Sequence, residues 1–235
     1  PAVLGTYFID GAVWDVAAIE TTAFVASGDG VLVVDCSDPG TPVEMARYVP
    51  GNSYLRALKA ADGMLYTVGS YGRMCVADMA DPAHPVDLGC ASVADATRRL
   101  VALEVRDDLA AVIAETDSPR SDALMLIDVS DPGRPIVLSE TPTAGRSSLF
   151  SDADVVFTGD RALVSLGLDT GLLVFGVRDP RYPELLGGRS SPGRGSHHMA
   201  VSGDHVFVAV GAAGIDGFRL AGCQAPRLSP RRAAP

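Results

Sequence analysis

Side chains able to bind a ligand or to do acid–base chemistry recur in short segments that lead into apolar runs of the chain. They are Trp14 and Asp15, Tyr54 and Arg56, Arg98 and Arg99, Asp152 and Asp154, and His197 and His198. An arginine guanidinium can hold a carboxylate or sulfate through two parallel hydrogen bonds, and Trp or Tyr rings can stack on a sugar or hold an apolar anchor. The set is typical of a binding surface if the fold brings the segments together.

Acid–base or metal chemistry at this set depends on the histidine pair and one carboxylate. His197 and His198 with Asp154 could ligate a metal ion or supply a base and its orienting group. Adjacent residues of a regular strand point to opposite faces, so the two imidazoles are not expected to share one site. The chain has no G-x-S-x-G, no H-E-x-x-H and no glycine-rich phosphate loop. We therefore expect no catalytic residue, no metal and no other cofactor.

Each candidate residue also has a structural interpretation. The arginines can balance neighbouring aspartates, and Trp14 and Tyr54 can pack between sheets. Aspartates recur in register at Asp35, Asp78 and Asp128. We expect them to cap turns and not to bind Ca²⁺, because no D-x-D-x-D loop supplies the six or more oxygen ligands that this ion takes.

The elements that must position these side chains follow from an internal repeat. Four segments each contain a β-rich run, Asp-Pro, two residues, Pro and a second short strand: GVLVVDCSDPGTPVEMA (30–46), GRMCVADMADPAHPVDLG (72–89), ALMLIDVSDPGRPIVLS (123–139) and GLLVFGVRDPRYPELLG (171–187). The Asp carboxylate can accept backbone N–H bonds, and Pro presets φ for the first turn position. The motif therefore predicts a chain reversal in each repeat, about 45 residues apart.

Two further strands precede each motif, so each unit is predicted to be a four-stranded antiparallel meander. Four-stranded units repeated at this length are typical of propeller blades. A fifth unit, 197–220, supplies three strands and lacks the Asp-Pro turn. The opening segment PAVLGTYFIDG (1–11) aligns with the fourth strands, with Pro1 in the place of the second proline. Residues 2–8 are therefore expected to complete the fifth blade.

The sequence thus predicts an all-β protein, a five-bladed propeller closed by its N-terminal strand. The predicted blades are about 12–50, 51–93, 97–143, 150–191, and 197–220 plus 1–10, and residues 221–235 form a C-terminal tail or linker. The alternative is that the chain is a fragment of a larger propeller.

The third strands carry a family resemblance. VLVVDCSDP, LMLIDVSDP and LLVFGVRDP resemble the LVIVD repeat, named after its third-strand consensus. The resemblance covers nearly the whole chain, although Gly176 replaces the usual Asp in the fourth unit and the fifth lacks the Asp-Pro turn. It implies a bacterial or archaeal propeller that is secreted or displayed on the cell surface, and it supplies no catalytic residue.

The net charge, the apolar runs and the cysteines indicate which partners to exclude and whether a disulfide forms. The formal net charge of −10 repels phosphate backbones, so no nucleic acid partner is expected. No run approaches the ~18 apolar residues of a membrane helix, so no membrane insertion is expected. Cys75 and Cys90 should face each other in one blade. A disulfide would fit an exported protein, but directly paired strand cysteines are strained, and we expect two buried thiols.

In a propeller, the loops leading into the innermost strands share one face with the loops joining the second and third strands. The loops that join the second and third strands would add Tyr71, the segment 116–123 and Asp169 to this face. We predict that the channel mouth on this face binds a protein, peptide or glycan without catalysis, through Trp14, Tyr54, Arg56, Arg99, Asp154 and His198. The chain would be an exported or surface protein, or a module of a larger one. The alternatives are a hydrolase or lyase using Arg99, Asp154 and His198, and a purely structural repeat module.

Overall fold

The computed structural model describes residues 2–28, 30–51, 53–92, 97–117, 120–143, 153–167, 171–189 and 198–220. The apolar runs of this part of the chain form antiparallel meanders, and no α-helix occurs in it. The first sheet comprises β1 (Val13–Ile19), β2 (Thr22–Ser27), β3 (Gly30–Asp35) and β4 (Val43–Tyr48). The second comprises β5 (Ser53–Ala61), β6 (Met64–Ser70), β7 (Arg73–Asp78) and β8 (Val86–Ser92).

The remaining sheets repeat this order. The third comprises β9 (Arg99–Arg106), β10 (Leu109–Asp117), β11 (Arg120–Asp128) and β12 (Ile136–Pro142). The fourth comprises β13 (Asp154–Thr158), β14 (Arg161–Leu166), β15 (Gly171–Gly176) and β16 (Glu184–Arg189). The fifth comprises β17 (Met199–Ser202), β18 (His205–Ala209) and β19 (Ile215–Arg219), with a 3-10 turn at Gly211–Ala213 before β19. The predicted arrangement of antiparallel four-stranded units is thus confirmed for four sheets.

We call the five sheets blades 1 to 5 in chain order. Four apolar clusters join each blade to the next. Phe24 and Val33 of blade 1 pack with Leu65 of blade 2, and equivalent clusters join blades 2 and 3, 3 and 4, and 4 and 5. The central strands β7, β11 and β15 are buried on both faces, as expected for sheets stacked between neighbours. The innermost strands β1, β5, β9, β13 and β17 adjoin one another in series, so the five sheets are arranged as in a propeller.

The Asp-Pro-x-x-Pro segments form the predicted turns. The backbone amides of Gly40, Ala83, Gly133 and Arg181 donate to the carboxylates of Asp38, Asp81, Asp131 and Asp179, at 2.9, 3.1, 3.1 and 3.0 Å. The Gly40 amide and the Thr41 hydroxyl together hold the pKa of Asp38 below its ordinary value. These bonds satisfy backbone donors that the reversal would otherwise leave unpaired.

The expectation of two buried thiols in blade 2 is wrong, because Cys75 and Cys90 form a disulfide. The two residues are direct partners in the β7–β8 ladder, and their Cα atoms are 4.1 Å apart. This is close to the ~4.5 Å of a non-hydrogen-bonded antiparallel pair, where facing side chains approach most closely. Gly51 lies over the bridge, since a Cβ atom there would lie 3.2 Å from the Cys90 sulfur.

No strand pairing among the described residues closes the ring. The only ladder of β19 in the described part of the chain is with β18, and residues 2–9 are not in a strand. The fifth sheet therefore has three described strands, and no apolar cluster of described residues joins blade 5 to blade 1. The predicted tail 221–235 lies outside the described residues. Among the residues that the structure does describe, no helix is long and apolar enough to span a membrane.

Candidate functional site: the channel mouth

The innermost strands enclose a cavity of about 510 Å³, which we call the channel. Residues of β1, β5, β9 and β13 form its walls, and His198, just before β17, also lines it. Four of the six predicted site residues line the channel: Trp14, Arg56, Asp154 and His198. The repeat therefore brings residues from four blades to one site, although they are up to 184 positions apart in the sequence.

Two aspartates at the same place in different blades tie neighbouring inner strands together. Asp15 and Asp154 each lie four residues before the end of their inner strand. Asp15 Oδ2 accepts the Leu58 amide of the next blade at 2.9 Å, and Asp154 Oδ2 accepts the Met199 amide of the next blade at 2.7 Å. This shared geometry indicates a structural role for both carboxylates at the channel wall.

The electrostatics of Asp154 reflect its position. Burial raises the pKa of its carboxyl, while the Met199 amide, the nearby His198 and the Val155 amide act in the opposite direction. His198 Nδ1 lies 3.9 Å from Asp154 Oδ2, which is too far for a hydrogen bond. Because the same carboxylate oxygen already accepts the Met199 amide, the pair does not have the geometry of a base held by its orienting group.

Trp14 and Arg56 form the most distinctive contact at the mouth. The Arg56 guanidinium carbon lies 4.3 Å from the centroid of the Trp14 ring, within the range of a cation–π interaction. The two residues hold the same register in blades 1 and 2, one position before Asp15 and Ala57. Trp14 remains 50 % exposed. The mouth thus presents a large aromatic surface and a fixed cation on adjacent blades.

One pair of lining residues was missed by the sequence interpretation. Lys59 and Glu104 line the channel and form an ion pair of 2.8 Å between blades 2 and 3. Both lie two residues before the end of their inner strand. Aligning the blades on their first hairpin turn would have found them, since it places equivalent side chains on one level of the channel.

The other two predicted site residues do not line the channel. Tyr54 is exposed and has a positive φ of 51°. Arg99 Nη2 lies 3.3 Å from the buried carboxylate of Glu115, which fits the charge-balancing interpretation. Arg98 likewise pairs with Glu140. Tyr71 lies in the β6–β7 turn, whereas Asp152, Asp169 and His197 lie outside the described residues.

The arrangement is suited to binding. It combines an aromatic ring, a cation and several fixed carboxylates around a water-accessible cavity, which are the features of a small-ligand or side-chain pocket. In the described ranges, no three His, Cys, Asp or Glu side chains are grouped as metal ligands.

The fold and the repeat together define a propeller-like protein. Residues 10–49, which span blade 1, match the family model of the LVIVD repeat. The resemblance predicted from the sequence is thus confirmed, and the chain carries a repeat of a propeller family. No curated protein matches the chain.

Solved structures share the fold at low sequence identity. The computationally designed Ika8 protein aligns with a TM-score of 0.66 at 14 % identity, over 92 % of this chain and 61 % of that chain. Hydrazine synthase of Kuenenia stuttgartiensis gives 0.62 at 15 %, over 84 % and 61 %. A putative 6-phosphogluconolactonase from Bacteroides fragilis gives 0.65 at 13 %, over 87 % and 65 %. The chain thus spans less than two thirds of these three structures, and at such identities the likeness concerns the fold alone.

Proposed function

We propose that this chain is a non-enzymatic binding propeller, exported or displayed at the cell surface, which holds a protein, peptide or glycan partner at its channel mouth. The observation that carries the proposal is the channel itself, where Trp14, Arg56 and His198 from three blades meet around one cavity. No catalytic motif of the sequence and no grouping of the described side chains singles out a reaction at this site. The acidic net charge of −10 makes nucleic acid an unfavourable partner.

A second part of the proposal is that residues 2–8 close the ring as the fourth strand of blade 5. Their contacts with blade 1 resemble those that β4 makes with blade 2 and β8 makes with blade 3. The Tyr48 hydroxyl, at the end of β4, donates to Asp87 in β8 of blade 2. The Tyr7 hydroxyl donates to Glu44 in β4 of blade 1 at 2.5 Å. Tyr7 and Tyr48 align in the repeat, as do Glu44 and Asp87, so residues 2–8 stand to blade 1 as β4 stands to blade 2.

A pair of aligned glycines supports the same placement. A Cβ atom at Gly89 of β8 would overlap the carbonyl oxygen of Gly133 in the turn of blade 3. A Cβ atom at Gly5 would overlap the carbonyl oxygen of Pro39 and lie 2.7 Å from that of Gly40, in the turn of blade 1. Both glycines are the fifth residue of the aligned fourth-strand segment. At this position the N-terminal segment thus approaches the turn of blade 1 as closely as β8 approaches the turn of blade 3.

The faces that closure would cover are apolar. Val16 of β1 points away from the blade 1–2 cluster and is exposed. Phe207 of β18 and Ile215 of β19 point away from the blade 4–5 cluster, and Ile215 is 72 % exposed. An unpaired strand edge beside exposed apolar residues promotes association with other chains. Intramolecular closure would remove both liabilities.

A matched set of glycine substitutions tests this placement. We expect Gly89→Ala to lower the free energy of unfolding by roughly 2 kcal/mol, because the added methyl group must displace the blade 3 turn. If residues 2–8 are held in the ring, Gly5→Ala should cost a similar amount. Chemical unfolding followed by circular dichroism measures both values.

Gly187 of β16 is the matched control, since it aligns with Gly5 and Gly89 but a Cβ atom there would meet nothing within 4 Å. Gly187→Ala should therefore leave stability unchanged or raise it slightly. If Gly5→Ala behaves like Gly187→Ala, residues 2–8 are free to move aside and do not close the ring.

The proposed location outside the cytoplasm has one structural support. The Cys75–Cys90 disulfide is of a kind that forms and persists in oxidising compartments and is rare in the cytosol. The resemblance to the LVIVD repeat points the same way. The chain would then act alone or as one module of a larger surface protein.

The hydrolase or lyase alternative gains no specific support. It requires Arg99, Asp154 and His198 to act together. Arg99 pairs with Glu115 away from the channel, and Asp154 is committed to the Met199 amide. The geometry of these three residues therefore favours binding over hydrolysis or elimination at this site.

The binding proposal is tested with the partner itself. The purified chain, immobilised, should retain a partner from the surface and secreted fractions of its source cells, and that partner should then be purified for direct binding. We expect Trp14→Ala and His198→Ala each to raise its Kd, with Trp14→Ala raising it about 30-fold, the effect of an aromatic hot spot of ~2 kcal/mol.

Tyr182→Ala is the control, since Tyr182 is an exposed aromatic residue in the outer turn of blade 4. It should leave the Kd unchanged, and circular dichroism should show that all variants keep the wild-type fold. A partner that binds wild type, Trp14→Ala and His198→Ala equally well would show that the channel mouth is not the binding face.

A further inference from the structure

The channel wall carries two basic side chains, Lys59 and Arg56, which differ in whether they form an ion pair. Lys59 is paired with Glu104. Arg56, which lines the same cavity, has no carboxylate of a described residue within ion-pair distance. Its guanidinium lies over the Trp14 ring. The planar guanidinium is the side chain best suited to pair with a carboxylate or phosphate. Among the described residues, Arg56 is thus a channel cation that forms no ion pair and can take an anionic group of a ligand.

The contact with Trp14 prepares Arg56 for this role. The guanidinium carbon lies over the Trp14 ring, 4.3 Å from its centroid, so the ring restrains the position of the cation. A guanidinium carries five N–H donors, and one that is held in place loses less side-chain entropy when it binds a carboxylate through two parallel hydrogen bonds. The ring also shields one side of the guanidinium from water, which strengthens such bonds.

We propose that the channel mouth recognises a carboxylate group of a peptide partner, with Arg56 as the anchor. The inference deepens the proposed function and depends on it. Other lining groups restrict the ligand, because Asp15, Glu104 and Asp154 place three carboxylates around the same cavity. A single carboxylate beside a basic group suits this mixture. An acidic glycan with a charge on every sugar would be repelled by these groups and by the net charge of −10.

A C-terminal peptide carboxylate next to a lysine has this chemistry, so the probe is the tripeptide acetyl-Ala-Ala-Lys with a free C-terminus. Its matched control is the same peptide with a C-terminal amide. Trp14 is the only tryptophan of the chain, so intrinsic fluorescence reports the mouth directly, and calorimetry gives an independent Kd. We expect saturable binding of the free acid and a Kd at least about tenfold higher for the amide.

Arg56→Gln should raise the Kd of the free acid about tenfold or more, because the neutral amide cannot form the charge-assisted pair. Arg134→Gln is the control variant, since Arg134 is an exposed arginine in the turn of blade 3, and it should bind as wild type does. Circular dichroism and thermal unfolding confirm that both variants are folded.

Three results would overturn the inference. The first is no saturable fluorescence change up to ~10 mM peptide, where millimolar binding would be evident, and the second is an equal Kd for the free acid and the amide. The third is Arg56-dependent binding of trigalacturonate without any binding of the peptide. The last result would assign the site to acidic glycans. These failures differ from failure of the proposed function. If Trp14→Ala raises the Kd of a captured partner and Arg56→Gln does not, the channel mouth is still the binding face. Only the proposal that it recognises a carboxylate would then fail.

Discussion

The double variant Thr6→Cys, Asp216→Cys is expected to form a disulfide within one chain and to raise the free energy of unfolding by up to about 5 kcal/mol. The bridge would close a loop of about 210 residues, and the loss of chain entropy in the unfolded state grows with the logarithm of loop length. For a chain of this size, the gain corresponds to a rise in unfolding temperature of roughly 10–20 °C.

The choice of Thr6 follows from the alignment of the fourth strands. Cys90 is the sixth residue of its segment when Pro85 is counted as the first, and Thr6 is the sixth when Pro1 is counted as the first. If residues 2–8 complete blade 5, Thr6 takes the place that Cys90 holds in blade 2.

The choice of Asp216 follows from the hairpin registers. Cys75 pairs with Thr67, the fourth residue of β6. Asp216 pairs with Val208, the fourth residue of β18. Asp216 therefore holds the place of Cys75, and the double variant transfers the blade 2 disulfide to the proposed seam of the ring.

The variant is made with Cys36→Ser and Cys223→Ser and is followed by gel electrophoresis without reductant, mass spectrometry and thermal unfolding. The control combines Ala2→Cys with Asp216→Cys, which places the first cysteine four strand residues, about 13 Å, out of register. It should not bridge. Bridges only between two chains would show that the N-terminal segment complements another copy, and no bridge at all would remove the proposed closure.

Removal of the natural disulfide by Cys75→Ala with Cys90→Ala is expected to lower the free energy of unfolding by about 3 kcal/mol. The two residues are 15 positions apart, and release of a loop of this length restores that amount of chain entropy to the unfolded state. The unfolding temperature should fall by roughly 6–12 °C. Unfolding of the wild-type chain in the presence of dithiothreitol should show the same loss.

Cys36→Ala is the matched control, since Cys36 is a free and only partly buried cysteine. It should change stability by well under 1 kcal/mol. A double variant as stable as wild type would show that the hairpin is held by its ladder alone, and the bridge would then give no structural support for an exported protein.

The sequence determined the blades because the repeat is local. Each Asp-Pro-x-x-Pro turn uses a carboxylate and amides within a few residues, as at Asp38 and Gly40, so the hydrogen bonds follow from composition and spacing. The apolar runs that form β3, β7, β11 and β15 likewise predict strands that are buried on both faces. The sequence alone also indicated that Trp14, Arg56, Asp154 and His198 would meet, because inner strands converge in any propeller.

Other features were decided only by the tertiary structure. Whether a side chain lines the channel depends on strand register and bulges. The irregularity between Ser53 and Leu55 contains Tyr54, which does not line the channel. The disulfide depended on a direct Cys75–Cys90 pairing that the sequence located only to within about one residue. The partners of Arg99 and Arg56 differ because one faces a buried glutamate and the other an aromatic ring. Local bonds can be read along the chain, whereas contacts between blades depend on how the sheets stack, which no single segment encodes.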